Sequence, residues 1–180
     1  MKKIYLIILI FVSFQATAQI KKVTLQASGL TCSMCSKSIY KALVAVPFVQ
    51  DVKSDIKNSA FIVTFKENEA VDFDPLKKAV TNAGFSVASF KIVANFNKQD
   101  IINDAHVIFD NKILHFLNVQ PQNLEGEKTV LVVDKNFVTA KDQKKYSKLT
   151  TMKCYETGVM ESCCTKTNTA STRVYHVTIL

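Results

Sequence analysis

The stretch GLTCSMC, residues 29–35, separates a strand-like segment from a helix-like segment and holds two cysteines with two residues between them. Before it, residues 22–27 alternate polar and apolar side chains, which predicts a half-buried strand. After it, Ile39, Leu43 and Val46 recur at i, i+4 and i+7, which predicts a helix with one buried stripe. The cysteines are therefore expected in a strand-to-helix loop.

Two thiolates at this spacing can bind one soft cation, so Cys32 and Cys35 are the candidate ligands. The unpaired N–H groups and the positive dipole end of a helix's first turn favour a thiolate there. The same spacing occurs in zinc sites, redox couples and structural disulfides. The motif alone therefore predicts metal binding or disulfide exchange and leaves both open.

The next segments complete a recognisable order of elements. Two strands joined by a turn are predicted between residues 49 and 65, and Asp74-Pro75 predicts a helix with Asp74 as its N-cap. Gly84 is expected to end that helix, and residues 86–93 alternate as a further strand. The order strand, helix, strand, strand, helix, strand is that of a ferredoxin-like α+β fold.

This order and the loop motif resemble the heavy-metal-associated domain family, whose loop reads G-M-T-C-x-x-C. The family includes copper chaperones, modules of copper-transporting P-type ATPases and an exported mercury-binding protein. The matching positions are Gly29, Thr31, Cys32 and Cys35, together with Phe85 before the last strand. The resemblance implies that Cys32 and Cys35 are the metal ligands, that Thr31 shapes the loop and that Phe85 shields the metal.

The resemblance favours Cu(I) as the metal, with Hg(II) or Zn(II) as alternatives. Zinc prefers about four ligands, and family members that favour zinc often carry a carboxylate just before the first cysteine, where this chain has Thr31. Met34, between the two ligands, is expected to face solvent. The implied partner is a metal donor or acceptor protein, for which a membrane metal transporter is one candidate.

Residues 1–18 have the pattern of a secretory signal peptide. Lys2 and Lys3 precede an apolar run over residues 4–14, and a small-residue A-T-A pattern ends at Ala18. The run is shorter than the roughly 20 residues that span a bilayer. We therefore expect an exported protein, periplasmic in a Gram-negative bacterium and otherwise secreted, without stable membrane insertion after cleavage.

The second half differs in character and resembles no family that we recognise. A polar connector is predicted at residues 96–100 and one short lysine-rich helix at residues 139–149. Four β-rich runs are predicted at residues 105–109, 112–119, 129–133 and 174–179. We predict a heavy-metal-associated domain at residues 19–95 and a small β-rich domain at residues 96–180, for which a barrel is one arrangement.

Three cysteines in the second half allow two interpretations. A disulfide from Cys154 to Cys163 or Cys164 would close a loop of about ten residues, as is common in exported domains. Alternatively, these thiols and Met160 or Met152 form a second soft-metal site that receives ions from the first. With five cysteines in the chain, at least one cannot pair internally.

The histidines are interpreted more cautiously. His176, in a strand pattern, is expected to be a packed or surface side chain instead of a ligand, and the same caution applies to His106 and His115. The turn signal Asp110-Asn111 nevertheless places those two in adjacent strands of one predicted hairpin.

The charge distribution and the absence of catalytic sequence motifs argue against two classes of function. The net charge of +8 is spread over both halves without an arginine-rich cluster, so a nucleic-acid partner is not expected. No catalytic triad, phosphate-binding loop or paired catalytic carboxylate is present, so no enzymatic activity is expected. The sequence predicts an exported soft-metal-binding protein that buffers or transfers its ion by ligand exchange. The alternatives are a thiol–disulfide redox protein and an interaction module of the cell envelope.

Overall fold

The computed structural model describes residues 19–30, 33–161 and 172–180. In these ranges the chain forms β1 (Gln19–Ser28), α1 (Ser33–Val44), β2 (Val49–Asp55), β3 (Ala60–Phe65), α2 (Phe73–Asn82), β4 (Ser86–Ile101), β5 (Ala105–Phe109), β6 (Lys112–Phe116), β7 (Gln122–Val132), α3 (Ala140–Tyr146), α4 (Cys154–Thr157) and β8 (Val174–Ile179). None of these helices has the length and apolar character needed to cross a membrane. The predicted signal peptide lies outside the described residues.

The first six elements have the predicted ferredoxin-like order. Their strands are arranged β2-β3-β1-β4 and pair antiparallel, with β1 between β3 and β4. Helices α1 and α2 bury Leu43 and Leu76 against Val23 and Leu25 of the central strand. The alternation seen in β1 is thereby explained, because its apolar side chains face these helices. The predicted fold class is confirmed for this half.

The long strand β4 joins the two halves. Its first part pairs with β1 as far as Asn95, and residues 91–101 pair with β7 on the other side. The prediction of a polar connector at residues 96–100 is therefore wrong, because β7 provides a pairing partner that continues the strand. Phe96, at the start of that segment, is buried. The predicted boundary between residues 95 and 96 lies within β4.

The strands of the second half extend the same sheet. The full order is β2-β3-β1-β4-β7-β8-β6-β5, and all neighbours are antiparallel except β6 and β8. Among the described strands, β2 and β5 form the two edges of the sheet, so it is open and the barrel arrangement is wrong. The second half pairs with the first through β7, which lies along the edge of β4, and its strands do not close into a barrel.

One aromatic cluster connects α2 to the second half. Phe73 of α2 packs edge-on against Phe90 of β4 and Tyr175 of β8, with ring centroids 5.6 and 4.9 Å apart. Phe137 packs edge-on against Phe90 at 5.0 Å. Such pairs contribute beyond the apolar area that they bury. The face of the sheet that α1 and α2 cover therefore has one continuous core that reaches β8.

The start of α2 differs by two residues from the prediction. Asp72 is the N-cap, and its side chain accepts a hydrogen bond from the N–H of Asp74. Starting the helix at Phe73 brings that ring into the core. Asp74 instead pairs with Lys77 in the first turn and with Arg173, whose Nε donates to Asp74 Oδ2 at 2.9 Å.

Candidate metal centre

The cysteine loop connects the end of β1 to the start of α1. Gly29 follows β1 with a φ of +81°, a left-handed conformation that glycine adopts without strain. Cys35 is half-buried in the first turn of α1, as predicted. Thr31 and Cys32 lie outside the described residues, so of the predicted ligand pair only Cys35 is described.

The position of Phe85 follows from strand pairing. Ser28 and Ser86 are partners in the β1–β4 ladder, and the Ser28 hydroxyl donates to the Ser86 carbonyl at 3.3 Å. Because the strands are antiparallel, the end of β1 meets the start of β4, and the segment that carries Phe85 adjoins the cysteine loop. Phe85 and Leu30 are both partly buried against the main core.

The surface beside the loop is partly apolar. Met34 is 69% exposed, in agreement with its expected orientation, and Ile56 in the β2–β3 turn is 82% exposed. A groove of about 470 Å³ runs between α1 and that turn. Its lining includes Leu30, Ser33, Lys37, Tyr40, Ile56 and Phe61. An apolar surface of this kind beside the cysteine loop can contact another protein.

The predicted second group of sulfur ligands is only partly described. Cys154 is fully buried at the start of α4. Met160 is buried against Ile113 and Val174. Cys163 and Cys164 lie outside the described residues, so both the predicted disulfide and the predicted sulfur-rich site remain predictions.

The histidines have a relationship that the sequence interpretation missed. All three histidines of the chain converge on the Cys154 sulfur. The Sγ atom lies 3.6 Å from His106 Nε2, 3.7 Å from His115 Nδ1 and 3.4 Å from His176 Nε2. His115 and His176 are fully buried. They are packed side chains, as expected, but they also surround a thiol.

Strand register produces this convergence. His106 of β5 is opposite His115 of β6, and His115 is opposite His176 of β8. The three side chains thus form a row across adjacent strands, on the face opposite α1 and α2. The Asp110-Asn111 turn could have indicated that His106 and His115 lie opposite each other, because a two-residue turn fixes which residues of the hairpin face each other.

Carboxylates and burial set the electrostatics of the row. Asp104 Oδ1 lies 2.9 Å from His115 Nε2, and Asp134 Oδ1 lies 2.6 Å from His176 Nδ1. Burial, followed by the neighbouring His176, holds the pKa of both His106 and His115 below the usual range for histidine. Burial therefore disfavours the protonated form of His106 and His115.

The first half of the chain has the fold of a small metal-binding domain, with a cysteine-bearing loop between its first strand and first helix. Residues 24–86 match the model of the heavy-metal-associated domain. This segment is a heavy-metal-associated domain, and the resemblance predicted from the loop and the order of elements is confirmed.

Two curated relatives are copper ATPases. A probable copper-transporting ATPase of Arabidopsis thaliana is 27% identical over 89 residues, which is 49% of this chain and 9% of the ATPase. A probable copper-exporting P-type ATPase of Archaeoglobus fulgidus is 30% identical over 64 residues, which is 36% of this chain and 8% of the ATPase. The chain thus spans less than a tenth of either relative.

Solved structures of single domains also match. The yeast copper transporter domain Ccc2a is 28% identical, with 36% of this chain and 88% of that domain covered and a TM-score of 0.33. Oxidized MerP from Ralstonia metallidurans CH34 is 33% identical, with 39% of this chain and 97% of MerP covered and a TM-score of 0.34.

Proposed function

We propose that Cys32 and Cys35 bind one Cu(I) ion, and that the protein buffers this ion or transfers it to a partner. The observation that carries the proposal is the heavy-metal-associated domain at residues 24–86, which contains both cysteines of the loop. The copper proteins among its relatives support Cu(I) over Hg(II) or Zn(II). Two thiolates also suit a soft monovalent ion that accepts low coordination numbers.

Transfer would proceed by ligand exchange. A thiolate of the partner enters the two-coordinate ion and forms a three-coordinate intermediate, after which Cys32 or Cys35 leaves. The ion stays Cu(I) and no substrate bond is broken, so the reaction needs no catalytic acid or base. The half-buried position of Cys35 and the exposed Met34 beside it are compatible with the close approach of a second protein.

The partner in this proposal is a thiolate-bearing metal donor or acceptor, such as the metal-binding domain of a membrane transporter. The exposed Ile56 and the groove beside α1 offer an apolar docking surface next to the loop. We also propose that residues 1–18 direct export and are removed after Ala18. The intact mass of the protein recovered from an exporting host tests that cleavage.

The decisive experiment is an anaerobic titration of the reduced protein, without residues 1–18, with Cu(I) against a chromogenic chelator. We expect one tight equivalent that is lost in Cys32→Ser/Cys35→Ser. The matched control, Cys163→Ser/Cys164→Ser, removes the same number of thiols and should retain the equivalent. A native protein that cannot compete with the chelator would refute the copper proposal. Insulin-reducing activity that depends on Cys32 and Cys35 would then favour the redox alternative.

A further inference from the structure

A second group of metal-ligating side chains lies in the half of the sheet that is distant in sequence from the cysteine loop. We propose that His106, His115, His176 and Cys154 form a closed, four-coordinate site for a divalent ion of the Zn(II) type. The site uses three nitrogens and one sulfur, in contrast to the two sulfurs of the loop. It is independent of the proposed copper function.

The distances from the Cys154 sulfur to the three nitrogens match this coordination. A tetrahedral Zn(II) ion with bonds of about 2.0 Å to nitrogen and about 2.3 Å to sulfur holds nitrogen and sulfur about 3.5 Å apart. The three observed separations from the Cys154 sulfur are 3.4, 3.6 and 3.7 Å. The ligand atoms of His106, His115 and Cys154 lie within 4.8 Å of one another. His176 is not in this group of mutually close donors, so its Nε2, 3.4 Å from the sulfur, has to move toward the other two nitrogens to complete the site.

The carboxylates orient two of the imidazoles toward the ion. Asp104 accepts a hydrogen bond from the Nε2–H of His115, so the neutral ring presents the Nδ1 lone pair to Cys154. Asp134 accepts from the Nδ1–H of His176, which presents the Nε2 lone pair to the same sulfur. Carboxylate–histidine pairs of this kind fix the tautomer and raise the basicity of metal-binding histidines.

With one proton on each ring, hydrogen bonding within the cluster leaves one buried lone pair unsatisfied. A thiol carries one proton, so Cys154 can donate to only one of the two fully buried rings, His115 or His176. The other lone pair would face sulfur without a proton between them, in a place closed to solvent. A cation bound by all the donors removes this conflict, because each lone pair then has the same acceptor.

The four ligands are held by rigid parts of the structure. Three come from neighbouring strands, and Cys154 begins α4, which packs over the row. The next residue, Tyr155, fixes α4 because its hydroxyl donates to the Val133 carbonyl at 2.8 Å and its ring packs against His176. A four-donor site between packed strands and a helix is typical of structural zinc.

The test uses the reduced Cys32→Ser/Cys35→Ser protein, so that its outcome does not depend on copper binding at the loop. We titrate it anaerobically with Zn(II) against a chromogenic chelator, and with Co(II) followed by visible and near-ultraviolet absorption. The expected result is one equivalent of either ion. Bound Co(II) should show the ligand-field bands of tetrahedral cobalt and a thiolate-to-metal charge-transfer band.

Variants assign the ligands. His106→Asn is the mildest ligand change, because His106 is only partly buried, and it should weaken binding and shift the cobalt bands while the circular dichroism spectrum stays unchanged. Asp104→Asn, which leaves all four ligands in place, should weaken binding roughly 10- to 100-fold. The control Cys163→Ser/Cys164→Ser should keep the site.

Three results would overturn the proposal. The first is the failure of the folded protein to bind either ion. The second is binding that persists in His106→Asn and Asp104→Asn but disappears in Cys163→Ser/Cys164→Ser, which would assign the metal to a sulfur-rich site. The third is bound Co(II) without a thiolate charge-transfer band, which would exclude Cys154 as a ligand, as would a disulfide at Cys154 that survives reduction.

Discussion

At the scale of single residues, Asp134 links the histidine row to the remainder of the sheet. Its side chain is almost fully buried, with Oδ1 on His176 Nδ1 and Oδ2 3.0 Å from Arg173 Nη2. Arg173 continues the chain of contacts to Asp74 in α2. A buried carboxylate is stable only when such partners replace its water, so each contact depends on the others.

We predict that Asp134→Asn lowers the free energy of unfolding of the metal-free protein by about 2 kcal/mol. The amide keeps the volume of the side chain but turns an N–H donor toward Arg173 or toward His176. Urea unfolding in the presence of a chelator measures the change. The control Glu127→Gln breaks an exposed pair with Lys21 and should change stability by less than about 0.5 kcal/mol. Equal effects of the two substitutions would contradict the argument.

The residues of the two sites were accessible to sequence reasoning to different degrees. Cys32 and Cys35 are neighbours in sequence, so their spacing alone makes them candidates to bind one metal ion or to form a disulfide. His106 and His115 are nine positions apart, and only the register of the hairpin brings them together. His176 lies beside His115 because β8 pairs in parallel with β6, and no local sequence pattern predicts that pairing. Long-range register is decided by tertiary packing, which local propensities do not contain.

At the scale of elements, the N-terminus of α2 carries two functions. Asp72 caps the helix and also accepts a hydrogen bond from the Tyr175 hydroxyl at 2.6 Å. By comparison, Thr139 caps α3 and accepts from Asp142 within its own turn. The cap of α2 therefore ties the first half of the chain to β8, whereas the cap of α3 is local.

We predict that Asp72→Ala destabilises the protein more than Thr139→Ala, for which a loss of about 1 kcal/mol is usual. The excess should be the energy of the bond to Tyr175. A double-mutant cycle of Asp72→Ala with Tyr175→Phe measures it, and we expect a coupling of at least about 0.5 kcal/mol. Additive effects would show that the hydroxyl contributes nothing through Asp72.

The helices and strands of the first half follow closely from the sequence, because their apolar periodicities agree with the fold. The elements that differ are those whose limits depend on distant partners. The strand predicted at residues 86–93 continues to Ile101 because β7 pairs with it. The prediction of Asp74 as N-cap is wrong because burial of Phe73 moves the helix start, and Asp74 then pairs with Arg173. The short α4 has no periodicity of its own to reveal it.

At the scale of the whole molecule, the two halves share a sheet and a core. The strand β4 pairs with β1 on one side and β7 on the other, and Phe73 packs against both Phe90 and Tyr175. A structure whose parts bury each other's apolar surface is expected to unfold as a unit.

We predict a single cooperative unfolding transition for the metal-free protein. Native-state hydrogen exchange is the measurement, and the central amides of β1 and β8 should share the same opening free energy because both depend on β4 and β7. Coincident urea transitions by circular dichroism and tyrosine fluorescence would agree with this result. Two separated transitions would instead support independent domains on either side of residue 95.

The position of β8 has a consequence for the order in which the protein is made. This strand follows the other seven in the chain, yet it lies between β7 and β6 in the sheet. The edge of β6 in the β5–β6 hairpin therefore stays unpaired until residues 174–179 have been synthesised. During that interval an unpaired edge can join a neighbouring molecule. A chaperone that protects nascent chains would have its greatest effect in this interval. A chain truncated before Arg173 lacks β8, so the edge of β6 would stay unpaired.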